Sequence, residues 1–148
     1  MSSTGLAATA ALCAGLAGAL QIAVQGRLGE RVGSLEAVAT AVLVGSVVAF
    51  ALLLALRRSL GGVGEALSGP KWQLLGGVCS VVIVLGITYA AARIGVVATT
   101  AFLIAAQFAL AALIDRFGWF GVERVALTWP RVAGICLLAL GAALTLRR

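Results

Sequence analysis

Residues 72–114 read WQLLGGVCSVVIVLGITYAAARIGVVATTAFLIAAQFALAALI, and this stretch decides the class of the fold. Arg93 is the only charged residue in it. A helix needs about 20 apolar residues to cross the hydrocarbon core of a bilayer. The stretch therefore predicts two transmembrane helices, 72–92 and 94–114, joined by a tight connection at residues 93–95.

The same apolar pattern recurs on both sides of this stretch. The chain is 62% hydrophobic and 11% charged, which lies outside the range of soluble domains. Thr128 and Pro130 suit the start of a last helix. We predict an all-α integral membrane protein whose single domain, residues 1–148, holds five transmembrane helices. The predicted spans are about 5–24, 35–56, 72–92, 94–114 and 129–146, and they leave no room for a soluble domain.

The connections between the predicted spans are mostly short. Residues 25–34 contain three glycines and predict a turn, with Ser34 as the N-cap of the second helix. Residues 57–71 are rich in glycine and predict a loose segment. Residues 115–131 form the longest predicted loop, in which we expect Asp115 to cap a helix or to pair with Arg116 or Arg93.

The basic residues are almost equally divided between the two sides of the membrane. An excess of Lys and Arg on the cytoplasmic side normally sets orientation. In the five-span topology the side of the N-terminus carries six basic residues and the other side five, namely Arg57, Arg58, Lys71, Arg116, Arg124 and Arg131 against Arg27, Arg31, Arg93, Arg147 and Arg148. We therefore expect insertion in both orientations, so that two opposed copies pair as an antiparallel homodimer.

Several classes of function are disfavoured by composition. The net charge of +6 comes from basic residues at helix ends, where they anchor a membrane protein, so we expect no nucleic-acid partner. The chain has no histidine, and its three cysteines lie in separate spans. We therefore expect no metal site, no disulfide and no cofactor. No catalytic motif is present, so we do not expect an enzyme.

Polar side chains within the apolar spans are the candidate site residues. A polar group in lipid needs a partner, so it usually faces the bundle interior or a cavity. We predict a polar cavity lined by the first, third and fourth helices, with substrate contacts from Gln21, Gln107, Gln25, Thr100, Ser80, Thr88, Tyr89 and Trp72. The alternative is that these groups only hold the bundle together through hydrogen bonds. None of the spans carries a charge at mid-membrane depth.

A set of ordered motifs resembles one known family. Residues 24–45, VQGRLGERVGSLEAVATAVLVG, are similar to the first signature of the half-size, five-helix exporter family of the drug/metabolite transporter superfamily. The later motifs are similar too, in the same order: Trp72 with Gly76 and Gly77, residues 92–95, Gln107, residues 114–118, and Gly134 with Gly141. One departure is that the family often has Asn where this chain has Gln25 or Gly26.

The resemblance implies a bacterial inner-membrane exporter. Larger members of the superfamily fuse two inverted five-helix halves, so a half-size chain would rebuild that inverted repeat from two copies. Inverted repeats bind substrate near the midplane, where Gln21 and Gln107 would lie. We expect a secondary transporter that moves a small polar or amphipathic solute by alternating access, with lipid, substrate and a second copy as its partners. A small dual-topology ion channel and a non-transporting membrane subunit remain alternatives.

Overall fold

The computed structural model describes residues 3–146, and the elements within this range are helical. Arg147 and Arg148, which enter the charge comparison, lie outside the described residues. The α-helices are α1 (Ser3–Val32), α2 (Ser34–Arg57), α3 (Gly61–Ser68), α4 (Leu75–Phe117) and α5 (Trp129–Leu144). Two 3₁₀ turns, Lys71–Leu74 and Trp119–Gly121, precede and follow α4.

Three helical segments are long and apolar enough to cross a bilayer. They are Thr4–Val32, Ser34–Arg57 and Lys71–Phe117, and α5 is shorter than this class. Only 6% to 17% of the residues in their most apolar windows are buried within the chain. Helices that expose apolar side chains on nearly all faces need lipid or protein around them. The fold is therefore all-α and suited to a membrane, while the division into five spans stays a prediction.

The predicted turn at residues 25–34 is wrong for most of its length. Helix α1 continues through this segment to Val32, and only Gly33 leaves the helical conformation, with φ 100° and ψ 150°. This φ is disfavoured for residues with a Cβ, which explains why the break falls at a glycine. Gly33, rather than Ser34, is the N-cap of α2, and the Glu36 carboxylate folds back over it. An acid in the first turn favours the helix dipole.

The segment between α2 and α4 is more ordered than we predicted. Arg58 adopts the left-handed conformation and its N–H donates to the carbonyl of Leu54, which ends α2 with an αL cap. Helix α3 then occupies the middle of the glycine-rich segment, so the prediction of a loose segment is wrong there. Pro70 precedes the 3₁₀ turn that leads into α4.

Helix α4 is interrupted at one residue near its centre. Gly95 has φ 80° and ψ 169°, a conformation open to glycine alone, and the helix is regular on either side of it. Its 43 residues correspond to about 65 Å of helix, twice the thickness of the hydrocarbon core of a bilayer. The interruption lies within residues 93–95, where the sequence predicts a connection between two spans.

The chain forms two compact units. This division does not decide whether the chain is one domain, so the single domain stays a prediction. Among the described residues, unit 1 consists of residues 3–22 and 93–146, and unit 2 of residues 23–92. The unit boundaries fall inside α1 and α4. Unit 1 contains the first part of α1, the second part of α4 and all of α5. Unit 2 contains the end of α1, α2, α3 and the first part of α4.

Candidate functional site: an apolar groove and a buried amide

Unit 1 contains a large groove between three helical segments. Its volume is about 860 Å³. Along α4 it extends from Val96 to Phe108, which corresponds to roughly 18 Å of helix. Ala19 of α1 also lines it, and Gly134, Leu137, Leu138, Gly141 and Ala142 line it from α5. A groove of this size lies within the usual range of small-molecule sites.

The chemistry of this groove is apolar. Its polar side chains are two threonines, and both hydroxyls already donate to backbone carbonyls: Thr100 to Val96 at 2.8 Å and Thr145 to Ala142 at 2.6 Å. Such bonds satisfy the hydroxyl within its own helix. The groove therefore offers shape and apolar contact, and its threonines have no remaining proton to donate.

Two glycines of α5 keep the groove open. Gly134 and Gly141 are seven residues apart and so lie on nearly the same face of the helix. A Cβ added at either position would meet no atom within 4 Å. Because nothing packs against them, these glycines leave free volume instead of allowing a close helix contact.

A smaller polar cleft adjoins the groove in the same unit. It has a volume of about 150 Å³ and is lined by Ala111, Ala112, Asp115 and Arg131. Phe108 lines both the groove and the cleft, so the two are neighbours along α4. The Arg131 guanidinium donates to the Asp115 carboxylate at 3.3 Å. Arg131 was not among the expected partners of Asp115, for which the sequence suggested a helix cap or a pair with Arg116 or Arg93.

The charged pair is held by structure at the ends of two helices. Asp115 lies in the last turn of α4 and Arg131 in the first turn of α5. The Asp115 carbonyl also accepts a backbone hydrogen bond from Val125 at 2.9 Å, which ties the intervening loop to α4. Trp119, stacked on Phe117 at 5.4 Å, lies in this region too. Tryptophans favour the headgroup depth of a bilayer.

Unit 2 has a tight helix contact where unit 1 has a groove. A Cβ added at Gly26 would lie 2.8 Å from the Ala91 Cβ, and one added at Gly29 would lie 2.5 Å from the Thr88 Cγ2. Both distances are too short for real atoms. The end of α1 therefore packs directly against α4 because these two positions lack side chains.

A buried amide lies beside this contact on α1. Gln25 is 5% exposed, and its side-chain oxygen has no hydrogen-bond partner in the described chain. A buried carbonyl oxygen without a donor costs about 1–3 kcal/mol. An unpartnered group of this kind calls for a bound donor or a functional role.

The structure divides the predicted site residues between the two units. Unit 1 holds Gln21, Thr100 and Gln107, of which Thr100 alone lines the groove. Gln21 and Gln107 are exposed on the single chain. Unit 2 holds Gln25, Ser80, Thr88, Tyr89 and Trp72.

The unit 2 residues have different environments. Thr88 is fully buried and donates to the Val84 carbonyl at 2.6 Å, while Ser80 is exposed and donates to the Gly76 carbonyl at 2.9 Å. Tyr89 and Trp72 are about half exposed. The predicted polar cavity therefore stays a prediction, and the groove in unit 1 is a different, apolar feature.

Sequence reasoning missed the walls of the groove and the polar cleft. The signal for the walls was the spacing of Gly134 and Gly141, which marks one face of α5. In the sequence these glycines serve only as a match to a family motif, since glycine alone does not tell close contact from open space. The pairing of Asp115 with Arg131 depends on the path of the loop and has no local signal.

Comparison with known proteins assigns the chain to a family. A family model described as "Putative inner membrane exporter, YdcZ" matches residues 6–144. We found no match to the chain among the curated proteins or among the solved structures. The family is one of exporters and not a class of enzymes. The match covers almost the whole chain, and the protein therefore belongs to this family of inner-membrane exporters.

Proposed function

We propose that the protein is a secondary-type transporter that exports a small polar or amphipathic solute as an antiparallel, dual-topology homodimer. Each copy crosses the membrane five times, with α4 counted as two spans that meet at Gly95. Alternating access between the two sides moves the solute. The observation that carries the proposal is the family match over residues 6–144. The charge balance, the exposed apolar helices and the groove of this chain support its details.

The balance of basic residues supports opposed copies. Six basic residues against five give almost no orientation bias under the positive-inside rule. A chain without a bias inserts both ways, and two opposed copies generate the inverted repeat that many transporters build within one chain. One gene then suffices for the complete transporter.

The surface of the single chain supports a larger assembly. Helix α2 exposes apolar side chains along its whole length, including Leu43, Val47 and Phe50. A helix of this kind is covered either by lipid or by another helix. A second copy would cover part of this surface and could also supply donors or acceptors to Gln21 and Gln107.

The candidate path for the solute combines the groove with the amide side chains. The groove in unit 1 gives volume and apolar contact, and Gln21 and Gln107, which belong to the same unit, give hydrogen bonds. Apolar walls with a few placed polar groups are typical of small-molecule sites. The spans carry no mid-membrane charge, so a single buried carboxylate does not serve as the coupling group.

An ion channel is the strongest rival function. Size and charge balance fit it equally well, but the chain has no ring of charged residues and no sequence typical of a carbonyl filter. Saturable flux favours the transporter, whereas single-channel currents or unsaturable flux favour the channel. A non-transporting subunit is the third candidate, for which the amide side chains affect assembly alone.

A solute screen on the purified protein tests the proposal. Thermal-shift measurements against small metabolites identify a ligand, and its saturable flux is then measured in proteoliposomes. We expect Gln21→Ala and Gln107→Ala to reduce flux while the dimer persists. Ser46→Ala, at another polar position on the exposed surface of α2, is the matched control and should transport normally. Weakened assembly without a flux defect would contradict the proposed role of the amides.

A further inference from the structure

We propose that the groove and the polar cleft of unit 1 form one site for a single-chain zwitterionic amphiphile that enters from the bilayer. The apolar chain of the amphiphile lies in the groove, and its charged headgroup lies at the Asp115–Arg131 pair. This inference rests on the proposed transport function in one respect, since it names such amphiphiles as the solute class. The binding site itself stands without that function.

The dimensions of the site fit an acyl chain. The groove follows α4 for roughly 18 Å from Val96 to Phe108. The hydrocarbon of one leaflet is about 15 Å thick, half of the whole core. Gly134 and Gly141 leave open volume along this length, and the threonine hydroxyls are already bonded to the backbone. The groove thus accepts a chain and has few groups that would select a polar solute.

The charges of the cleft fit a zwitterionic headgroup. A guanidinium binds phosphate well, and a carboxylate attracts the positive charge of an ammonium group, including a quaternary ammonium that has no N–H to donate. Arg131 and Asp115 supply both charges 3.3 Å apart, and their side chains remain 42% and 34% exposed. A zwitterion can therefore reach both groups and leave neither without a partner. An apolar helix of a second copy would instead cover them without supplying opposite charges.

The position of the cleft fits the depth of headgroups. Asp115 lies near the end of α4 and Arg131 near the start of α5, at the end of the unit that carries Phe117, Trp119 and Trp129. Trp129 is 78% exposed, as expected for an interfacial tryptophan. A chain that leaves the cleft along α4 enters the groove past Phe108, which lines both cavities.

The energetics assign selectivity to the headgroup. An acyl chain that moves from lipid into an apolar groove gains little, because both surroundings are apolar. When a zwitterion binds, the exposed Asp115–Arg131 ion pair is exchanged for two charge-assisted contacts to the ligand. This exchange is the main source of the preference for one headgroup over another. We expect a zwitterionic headgroup to be preferred about fivefold over an uncharged one, a modest value because the pair is partly exposed.

Photolabelling of the full chain in phosphatidylglycerol vesicles tests the site. The probe is palmitoyl lysophosphatidylcholine with a diazirine on its acyl chain, and the labelled peptides are identified by mass spectrometry. We expect labels on α4 and α5 of unit 1. Gly141→Leu should reduce labelling at least about fivefold, because the new side chain enters the groove at a position where a Cβ meets no atom within 4 Å. Gly45→Leu on α2, also with open space, is the matched control and should not change it.

Headgroup variants of the probe test the cleft. Monoacylglycerol and lysophosphatidylglycerol with the same diazirine chain are compared with the choline probe. Arg131→Gln should remove the preference for choline over monoacylglycerol and leave the labelling by monoacylglycerol in place. Equal labelling by all three probes in the wild type, or labels spread evenly over all helices and unaffected by Gly141→Leu, would overturn the site.

Two further outcomes separate this inference from the transport function. In the first outcome, the groove carries no label, and crosslinks join it to a second copy but disappear in Gly141→Leu. This outcome would assign the groove to the dimer interface and overturn the inference. Flux of lysophosphatidylcholine in proteoliposomes tests the solute class. Labelling without flux would overturn the solute class alone. Flux of other solutes without labelling would overturn the inference and leave the proposed function intact.

Discussion

Two pairs of glycines, one pair in each unit, serve opposite purposes. In unit 2, Gly26 and Gly29 allow α1 to touch α4 so closely that a Cβ at either position would overlap Ala91 or Thr88. In unit 1, Gly134 and Gly141 face open volume, and a Cβ added at either position would meet no atom within 4 Å. At these two pairs of positions, glycine therefore allows contact in unit 2 and leaves space in unit 1.

This difference separates stability from function along the chain. The closed contact contributes packing, so its glycines should tolerate no added side chain. The open groove contributes little packing, so its glycines should tolerate larger side chains while binding is lost. Three polar groups differ in the same way, since Thr88 is fully buried and satisfied in unit 2, whereas Asp115 and Arg131 are accessible in unit 1.

The largest effect is expected at the closed contact. Gly29→Val should lower the free energy of unfolding by about 2–3 kcal/mol, because its side chain overlaps the Thr88 Cγ2 and forces the helices apart. Thermal unfolding of the purified protein in detergent measures this loss. Gly45→Val on α2, where a Cβ meets open space, is the matched control and should change stability little.

A double variant makes the test of this contact specific. Gly29→Ala alone places a Cβ against the Thr88 methyl group, and Thr88→Ser removes that methyl group while keeping the hydroxyl bond to Val84. The pair should recover most of the stability lost in Gly29→Ala, which a double-mutant cycle quantifies. Additive losses would show that the methyl contact does not limit the approach of the helices.

A smaller effect of opposite sign is expected at Gln25. Gln25→Leu should raise the free energy of unfolding by about 1–2 kcal/mol, because it removes a buried oxygen that has no donor. The same variant should reduce solute flux if Gln25 contacts the solute. A fall in thermal stability would instead mean that a donor from water, lipid or a second copy satisfies the amide in the assembled protein.

The smallest effect on stability is expected at the open groove. The series Gly134→Ala, Gly134→Val and Gly134→Leu should change the free energy of unfolding by less than about 1 kcal/mol, since a Cβ at this position meets no atom within 4 Å and larger side chains extend into the groove. Photolabelling by the lysophosphatidylcholine probe should fall progressively with side-chain volume. If stability falls in parallel with labelling, the groove is a packing contact. The proposed difference between the glycines of the two units would then be wrong.

The sequence predicts the apolar helices well because their signal is long. Runs such as residues 35–56 are long and apolar enough to cross a bilayer, and α2 occupies Ser34–Arg57 as expected. The prediction failed at residues 25–34, where glycines suggest a turn but are required for contact with α4. In a sequence, a glycine is equally consistent with a turn and with a close helix contact. Only the position of the neighbouring helix distinguishes the two.

The candidate site was less predictable than the helices. Polar residues in apolar spans were easy to find, and Gln25 proved to be buried and without a partner for its oxygen in the described chain. The groove has almost no polar lining, so a search for polar residues could not find it. Its walls come from segments far apart in sequence, α1, α4 and α5, and their proximity is a property of the tertiary structure.

Orientation in intact cells tests the central claim, the antiparallel pair, most directly. A variant without Cys13, Cys79 and Cys136 receives one cysteine by Ser59→Cys, in the exposed connection after α2. Cells are labelled with a membrane-impermeant maleimide before and after lysis. Two double variants serve as opposite controls, because each adds basic residues on one side of the membrane and so favours one orientation. One is Gly62→Lys with Gly64→Lys, on the side of the N-terminus, and the other is Glu30→Lys with Val32→Lys, on the opposite side. The account predicts that roughly half of the protein is labelled before lysis, and that the two control pairs shift this share in opposite directions. Complete or absent labelling before lysis would mean a fixed orientation and would contradict the antiparallel homodimer.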